Sequence, residues 1–140
     1  MSKFLILVHV RKICYEYAKS HLTYDEPIPF FDTRFPGKLE GCLQAPQQSH
    51  EGMLFYKTLP EQAAVLFYEM IKIHPFLNGN KRIAMVSLLA FLSLNGKWIH
   101  TSWRTLYDIA ITVASSDPRN REGVLKLLKE FIKNSLIDSK

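Results

Sequence analysis

Apolar residues recur at helical spacing through most of this chain. Leu59, Ala63, Leu66, Phe67, Met70 and Ile71 fall four, seven and eight residues apart, which gathers them on one face of a helix. Thr58-Leu-Pro-Glu61 opens that segment. Thr58 suits an N-cap, Pro60 an early helical position, and Glu61 the reciprocal member of a capping box. Pro75 disfavours helical geometry at His74, so the helix should stop there. A second helix should begin near Asn80 and run to Asn95-Gly96, a suitable C-terminal stop. Between Ile83 and Leu94 only Ser87 and Ser93 are polar, and a helix apolar nearly all round belongs at the centre of a bundle. Ser102 can cap a third helix carrying Trp103, Leu106, Ala110 and Val113 on one face. Asp117-Pro118 introduces a last one, with Val124, Leu128, Phe131 and Ile132. Residues 4–22 read as a first helix, although Ile6–Val10 alone would also suit a strand. Five prolines (27, 29, 36, 46 and 60) make the region 27–60 loop-rich, with room for a short helix over Lys38–Gln44. No repeat, low-complexity tract or linker interrupts the pattern. The expectation is one all-α domain over residues 1–140, wrapped around a central buried helix.

Bulk properties narrow the functional classes. A chain of 140 residues with 47% hydrophobic and 22% charged residues has the composition of an ordinary folded domain, not of a disordered one. Its net charge of +5 and pI near 9.3 favour anionic partners such as nucleotides or acidic protein surfaces. The basic residues are scattered, with no polybasic tail, so nucleic acid is not the expected partner. Cys14 and Cys42 are too few for a disulfide framework and form no C-x-x-C, which fits a reducing compartment. The apolar start is broken by His9, ends at Arg11-Lys12 and offers no small-residue cleavage site. No apolar stretch approaches the roughly 20 residues of a membrane span. A cytoplasmic protein without a membrane partner is expected.

The chemistry concentrates in one stretch, His74-Pro-Phe-Leu-Asn-Gly-Asn-Lys-Arg82. His74 falls where one helix ends, and Asn80–Arg82 where the next begins. A helix start offers unpaired N–H groups and partial positive charge to phosphate oxygens. Gly79 permits a turn that a Cβ would hinder, Asn80 can donate a hydrogen bond, and Lys81 and Arg82 add full charge. An imidazole such as His74, with an ordinary pKa of about 6.5, can take a proton from an attacking hydroxyl. The plainer reading makes His74 a packed helix-end residue, Asn-Gly a common turn, and Lys-Arg a solvated pair. Two cations in a first turn oppose the helix dipole, however, and that favours a phosphate site. The five histidines show no H-x-x-x-H, there is no cysteine cluster, and G-x-x-x-x-G-K-[ST] and G-x-S-x-G are absent. A zinc site, a P-loop and a nucleophile elbow are thereby set aside.

That stretch resembles the signature of the Fic/Doc (Fido) family, H-x-F-x-[D/E]-[G/A]-N-[G/K]-R. Upstream, Phe35-Pro-Gly-Lys-Leu-Glu-Gly-Cys-Leu-Gln-Ala-Pro46 and Met53-Leu-Phe-Tyr-Lys-Thr58 are similar to the family's short helix and substrate-docking flap. The resemblance covers residues 35–97 well and the remainder loosely. It implies a compact Fido-type helical bundle with a short β-hairpin flap, acting as a transferase that moves part of a nucleoside triphosphate onto a protein hydroxyl. ATP or another NTP would be co-substrate, with Mg²⁺. On this reading His74 is the general base, Gly79 and Asn80 line an anion hole, and Arg82 holds a terminal phosphate. Met53, Leu54, Phe55 and Tyr56 in the flap would align the target by main-chain pairing.

Three positions refine the comparison. Lys81 stands where adenylylating members usually have glycine and the phosphorylating Doc type has lysine. Met85 stands where many adenylylating members carry a second arginine that Doc also lacks. Both favour Doc-type phosphorylation over AMP transfer. Asn78 replaces the family's acidic Mg²⁺ ligand, and one negative charge fewer beside a dication weakens binding by on the order of a few kcal/mol. A binding protein that keeps the fold with weakened turnover is therefore a further alternative. The inhibitory [S/T]-x-x-x-E-[G/N] pattern is absent: Glu-Gly at 40–41, 51–52 and 122–123 follows Pro36, Gln47 and Pro118. The resemblance to Doc then implies a toxin-like protein with a separate antitoxin, and a translation factor such as elongation factor Tu as target.

Overall fold

Thr58 opens its helix as the sequence implies in the computed structural model of this protein, which describes residues 2–23 and 26–139. The Thr58 hydroxyl oxygen accepts the Glu61 N–H at 3.3 Å, and the Glu61 carboxylate accepts the Thr58 N–H at 3.2 Å. Such a box is worth about 1 kcal/mol. Helix α4 then spans Leu59–Lys72.

Before it, one helical rod is built from α1 (Leu7–His9), a π-helical stretch (Val10–Tyr15) and α2 (Glu16–His21). The strand alternative for Ile6–Val10 is not taken. The short helix α3 spans Pro36–Gln44, with Pro36 at its first position. After α4 come α5 (Asn80–Leu94), α6 (Trp103–Ser115) and α7 (Arg121–Ser135). Ser102 caps α6 by accepting the Thr105 N–H at 3.1 Å. Gly96 ends α5 in the left-handed region, at φ +74°. No helix among the described residues is long and apolar enough to cross a membrane.

Helix α5 occupies the centre. It packs against α4, α6 and the π-helical stretch, and Ile83, Met85, Leu88, Phe91 and Leu92 are fully buried. Buried Ser87 donates to the Ile83 carbonyl at 2.8 Å, so its hydroxyl is satisfied within the helix. Helices α4 and α6 converge at their C-terminal ends, where Lys72 Nζ donates to the carbonyls of Ala114 (3.3 Å) and Ser116 (2.6 Å).

Two antiparallel pairs complete the architecture. Strands β1 (Ser49–His50) and β2 (Met53–Leu54) form a hairpin in the register Ser49–Leu54 and His50–Met53. Its two-residue turn puts Glu51 at φ +52° and Gly52 at φ +79°, the left-handed pair that matches strand twist. The second pair has no counterpart in the sequence reading. Strand β3 (Lys97–Ile99) takes up β4 (Leu136–Asp138), with Trp98 opposite Ile137.

Candidate active site

The turn between α4 and α5 is shaped residue by residue. Ile73 caps α4, and His74 then adopts φ +55°, a left-handed backbone uncommon for a residue with a Cβ. Pro75 and Phe76 turn inward and are buried, while the His74 side chain stays exposed. The Phe76 ring meets those of Tyr15 and Phe31, with centroids 6.3 and 5.8 Å away. The Pro75 carbonyl accepts the Phe35 N–H at 2.8 Å. Buried Asn80 staples the loop: its Oδ1 accepts the Phe76 N–H and its Nδ2 donates to the Phe76 carbonyl, both at 2.9 Å.

Gly79 precedes α5 at φ +76°, and a Cβ there would lie 2.6 Å from Ile28 Cγ1. Glycine is required twice over, by conformation and by space. Behind it Leu22 and the stretch Glu26-Pro-Ile28 are strapped to the start of α5. The Arg82 guanidinium, 3% exposed, donates to the carbonyls of Leu22 (3.0 Å) and Glu26 (2.5 Å). Asn78 Nδ2 donates to the Glu26 carboxylate at 3.0 Å and to the Pro27 carbonyl at 3.4 Å.

His74, Asn78, Gly79, Asn80, Lys81 and Arg82 line one cleft of about 240 Å³. Ile71 and Leu77 add apolar surface from the same region, and Tyr107 and Ala114 join the lining from α6. The helical ladder of α5 opens with the Ile83 N–H on the Gly79 carbonyl at 3.0 Å. The amides of residues 80 and 81 thus precede it and have no carbonyl one turn back. An imidazole, a helix start and a lysine on one cleft give it the chemistry of an anion site with a base.

The sequence expectation and the structure divide over two side chains. The Asn80 amide is committed to the Phe76 backbone, and Arg82 donors are committed to two carbonyls. What these residues present to an anion in this arrangement is backbone N–H and positive charge. The flap residues Met53, Leu54, Phe55 and Tyr56 do form a hairpin and its exit, yet none of the four lines the cleft. Met53 and Phe55 are more than half exposed. The Tyr56 carbonyl accepts Gln62 Nε2 at 2.9 Å, and its hydroxyl accepts Arg121 Nη2 at 3.3 Å, which fix the flap's exit to α4 and α7.

Tyr107 and Glu26 were not singled out in the sequence. Tyr107 lies on the predicted α6, but nothing in its spacing points at residues 74–82. Glu26 reaches Asn78 across 52 residues of sequence.

The donor set constrains any metal. The Asn78 side-chain oxygen accepts the Gly79 N–H at 2.8 Å, and an amide brings no negative charge. Among the described residues no group of three or more His, Cys, Asp or Glu could hold a metal ion. The cleft's lining carries no carboxylate, so the residues present do not fit a Mg²⁺ held by this chain's own side chains.

The model of one family, described as the Fic/DOC family, matches residues 5–92. No curated protein and no solved structure matches the chain.

Proposed function

From the premise that this chain belongs to the Fic/DOC family, we propose that it transfers a phosphoryl group from a nucleoside triphosphate to a hydroxyl of a target protein. One observation carries the reading: His74 and the first turn of α5 line the same cleft. His74 accepts the proton of the target hydroxyl. The hydroxyl oxygen then bonds to the γ-phosphorus, the bond to the β–γ bridging oxygen breaks, and the nucleoside diphosphate leaves with that electron pair. The N–H groups of Asn80 and Lys81, behind the turn that Gly79 makes, and the charges of Lys81 and Arg82 offset the negative charge on the phosphate oxygens. The hairpin 49–54 is a two-stranded sheet, so its open edges suit main-chain pairing with an extended target segment.

Lys81 lines the cleft, and Met85, one turn further along α5, is fully buried. Both observations favour γ-phosphoryl transfer over AMP transfer, because no arginine at 85 is available to hold the γ-phosphate of a pyrophosphate leaving group. The test uses ATP labelled separately in the γ and α positions, a bacterial lysate, and a His74→Ala control. Label from the γ position should reach protein with the parent and not with the control. Label from the α position instead assigns AMP transfer, and no label from either refutes the transferase reading. By resemblance to the Doc type, a translation factor such as elongation factor Tu is the first target to examine, and a separate antitoxin the expected regulator.

A further inference from the structure

A second depression, of about 280 Å³, lies between α3, the C-terminal end of α4 and the start of α7. Gln48 and Ile73 both line it. The Gln48 carbonyl closes the root of the hairpin by accepting the Phe55 N–H at 2.9 Å, and Ile73 is joined to His74 by one peptide. The Phe35 N–H on the Pro75 carbonyl ties the start of α3 to the same turn. The groove therefore runs from the foot of the hairpin to the residue before the imidazole. Its lining charges are those of Lys38, Glu69 and Arg121. Arg121 answers Glu69 at 3.0 Å and meets exposed Glu122, outside the lining, at 3.4 Å. Exposed Lys38 rests over the Phe35 ring, its ammonium 4.7 Å from the centroid, so the lining keeps a surplus of positive charge. Gly37 and Gly41 also border the groove, and the packing of α3 gives neither a reason to be glycine. A Cβ at either position would meet nothing within 4 Å, and glycine is among the poorest helix formers. What a side chain at 37 or 41 would take away is room in the groove.

We infer that this groove holds the stretch of the target protein beside the accepting hydroxyl, and that it selects an acidic side chain within about three residues of that hydroxyl. The inference rests on the proposed transfer to a protein hydroxyl. Along α4, the four residues from Glu69 to Ile73 span about 6 Å. That is the reach of two residues of extended chain at roughly 3.3 Å each, and the peptide to His74 adds one more. Gly37 and Gly41 let the main chain of such a segment lie against α3. An acidic side chain there is drawn to Lys38 and Arg121, whereas a basic one finds only Glu69, which is already paired. The chain's net charge of +5 acts in the same direction by attracting acidic surfaces at longer range.

Serine-centred peptides carrying Glu, Ala or Lys at one flanking position at a time serve as probes. Their binding to the full chain is measured by fluorescence anisotropy without nucleotide, and their labelling with γ-labelled ATP. The parent should bind the best Glu peptide about tenfold more tightly than its Lys counterpart. The preference should be confined to positions within about three of the serine and should weaken with salt. Lys38→Glu should reverse the order. Gly41→Leu puts a good helix former into open space, so it should melt no lower than the parent while losing about tenfold in affinity for every peptide. Both variants should keep the parent's affinity for a non-hydrolysable ATP analogue, because neither residue lines the cleft. No peptide bound by the parent, no preference for Glu, or unchanged binding by Gly41→Leu overturns the groove. His74-dependent labelling of lysate protein would in that case still stand for the transferase. Binding with the expected preference, but no label passed to peptide or lysate, keeps the groove as an acidic-peptide site and removes the transferase reading beneath it.

Discussion

Replacing His74 with glycine should separate what the position costs the fold from what it gives the chemistry. At φ +55°, a residue with a Cβ carries roughly 1–2 kcal/mol of left-handed strain. Glycine removes that strain, but its greater freedom in the unfolded chain returns about 0.5–1 kcal/mol. The exposed imidazole buries little apolar surface, so its loss adds nothing large to the balance. The net expectation is a stabilisation of about 0.5–1 kcal/mol, a rise in Tm of about 2–5 °C for a chain of this size. His74→Ala keeps the Cβ and the strain and should melt within about 0.5 kcal/mol of the parent. Both variants should lose transfer activity by about 10²- to 10⁴-fold, the usual worth of a positioned general base. Thermal melts and γ-label transfer, run side by side on the three proteins, provide the readout. A glycine variant that melts no higher than the alanine variant refutes the strained turn. Transfer at the parent's rate by either variant refutes the base.

Two further outcomes follow from packing. Gly79→Ala should destabilise by about 2–3 kcal/mol in urea titration, because the new Cβ must displace Ile28 from 2.6 Å and hold φ at +76°; a change below about 0.5 kcal/mol would show that the strap is not seated there. The two buried thiols set an alkaline limit: burial pushes Cys14 up to about 11 and Cys42, where Glu69 adds to the effect, up to about 12. Unfolded thiols ionise near pH 9 and folded ones do not, so between pH 9 and 12 the folded state holds more protons and stability falls with rising pH. The loss should be on the order of a few kcal/mol, and Cys14→Ser/Cys42→Ser should flatten that part of the pH profile even if it lowers overall stability.

The parts of the fold that rest on local spacing were legible in the sequence. The Thr58–Glu61 box, the Ser102 cap, the Gly96 stop and the burial of α5 all depend on residues within a few positions of one another. Pro75 announced the end of α4 but not the left-handed turn at His74, which depends on where Pro75 and Phe76 must go to reach the core. The β3–β4 pair escaped because Lys97–Ile99 and Leu136–Asp138 show little alternation and find each other only once α6 and α7 have folded back. The site was half legible. The signature gave the residues of one cleft wall, while the strap that occupies Arg82 and brings Glu26 to Asn78 depends on contacts across more than fifty positions. The commitment of the Asn80 amide to Phe76 was likewise invisible, since an asparagine at a helix start is equally able to point at a ligand.

Lys72 has a consequence beyond its two hydrogen bonds. It sits in the last turn of α4 and donates to carbonyls at the end of α6, so one ammonium lies between two helix termini that are both electronegative. Without it those ends would repel as they approach. With it, Ile71 and Ala114 line one cavity whose two helices are tied at their ends. The ends of the two rods are thus joined before anything enters the opening, so the proposed phosphate ligand would not have to draw them together.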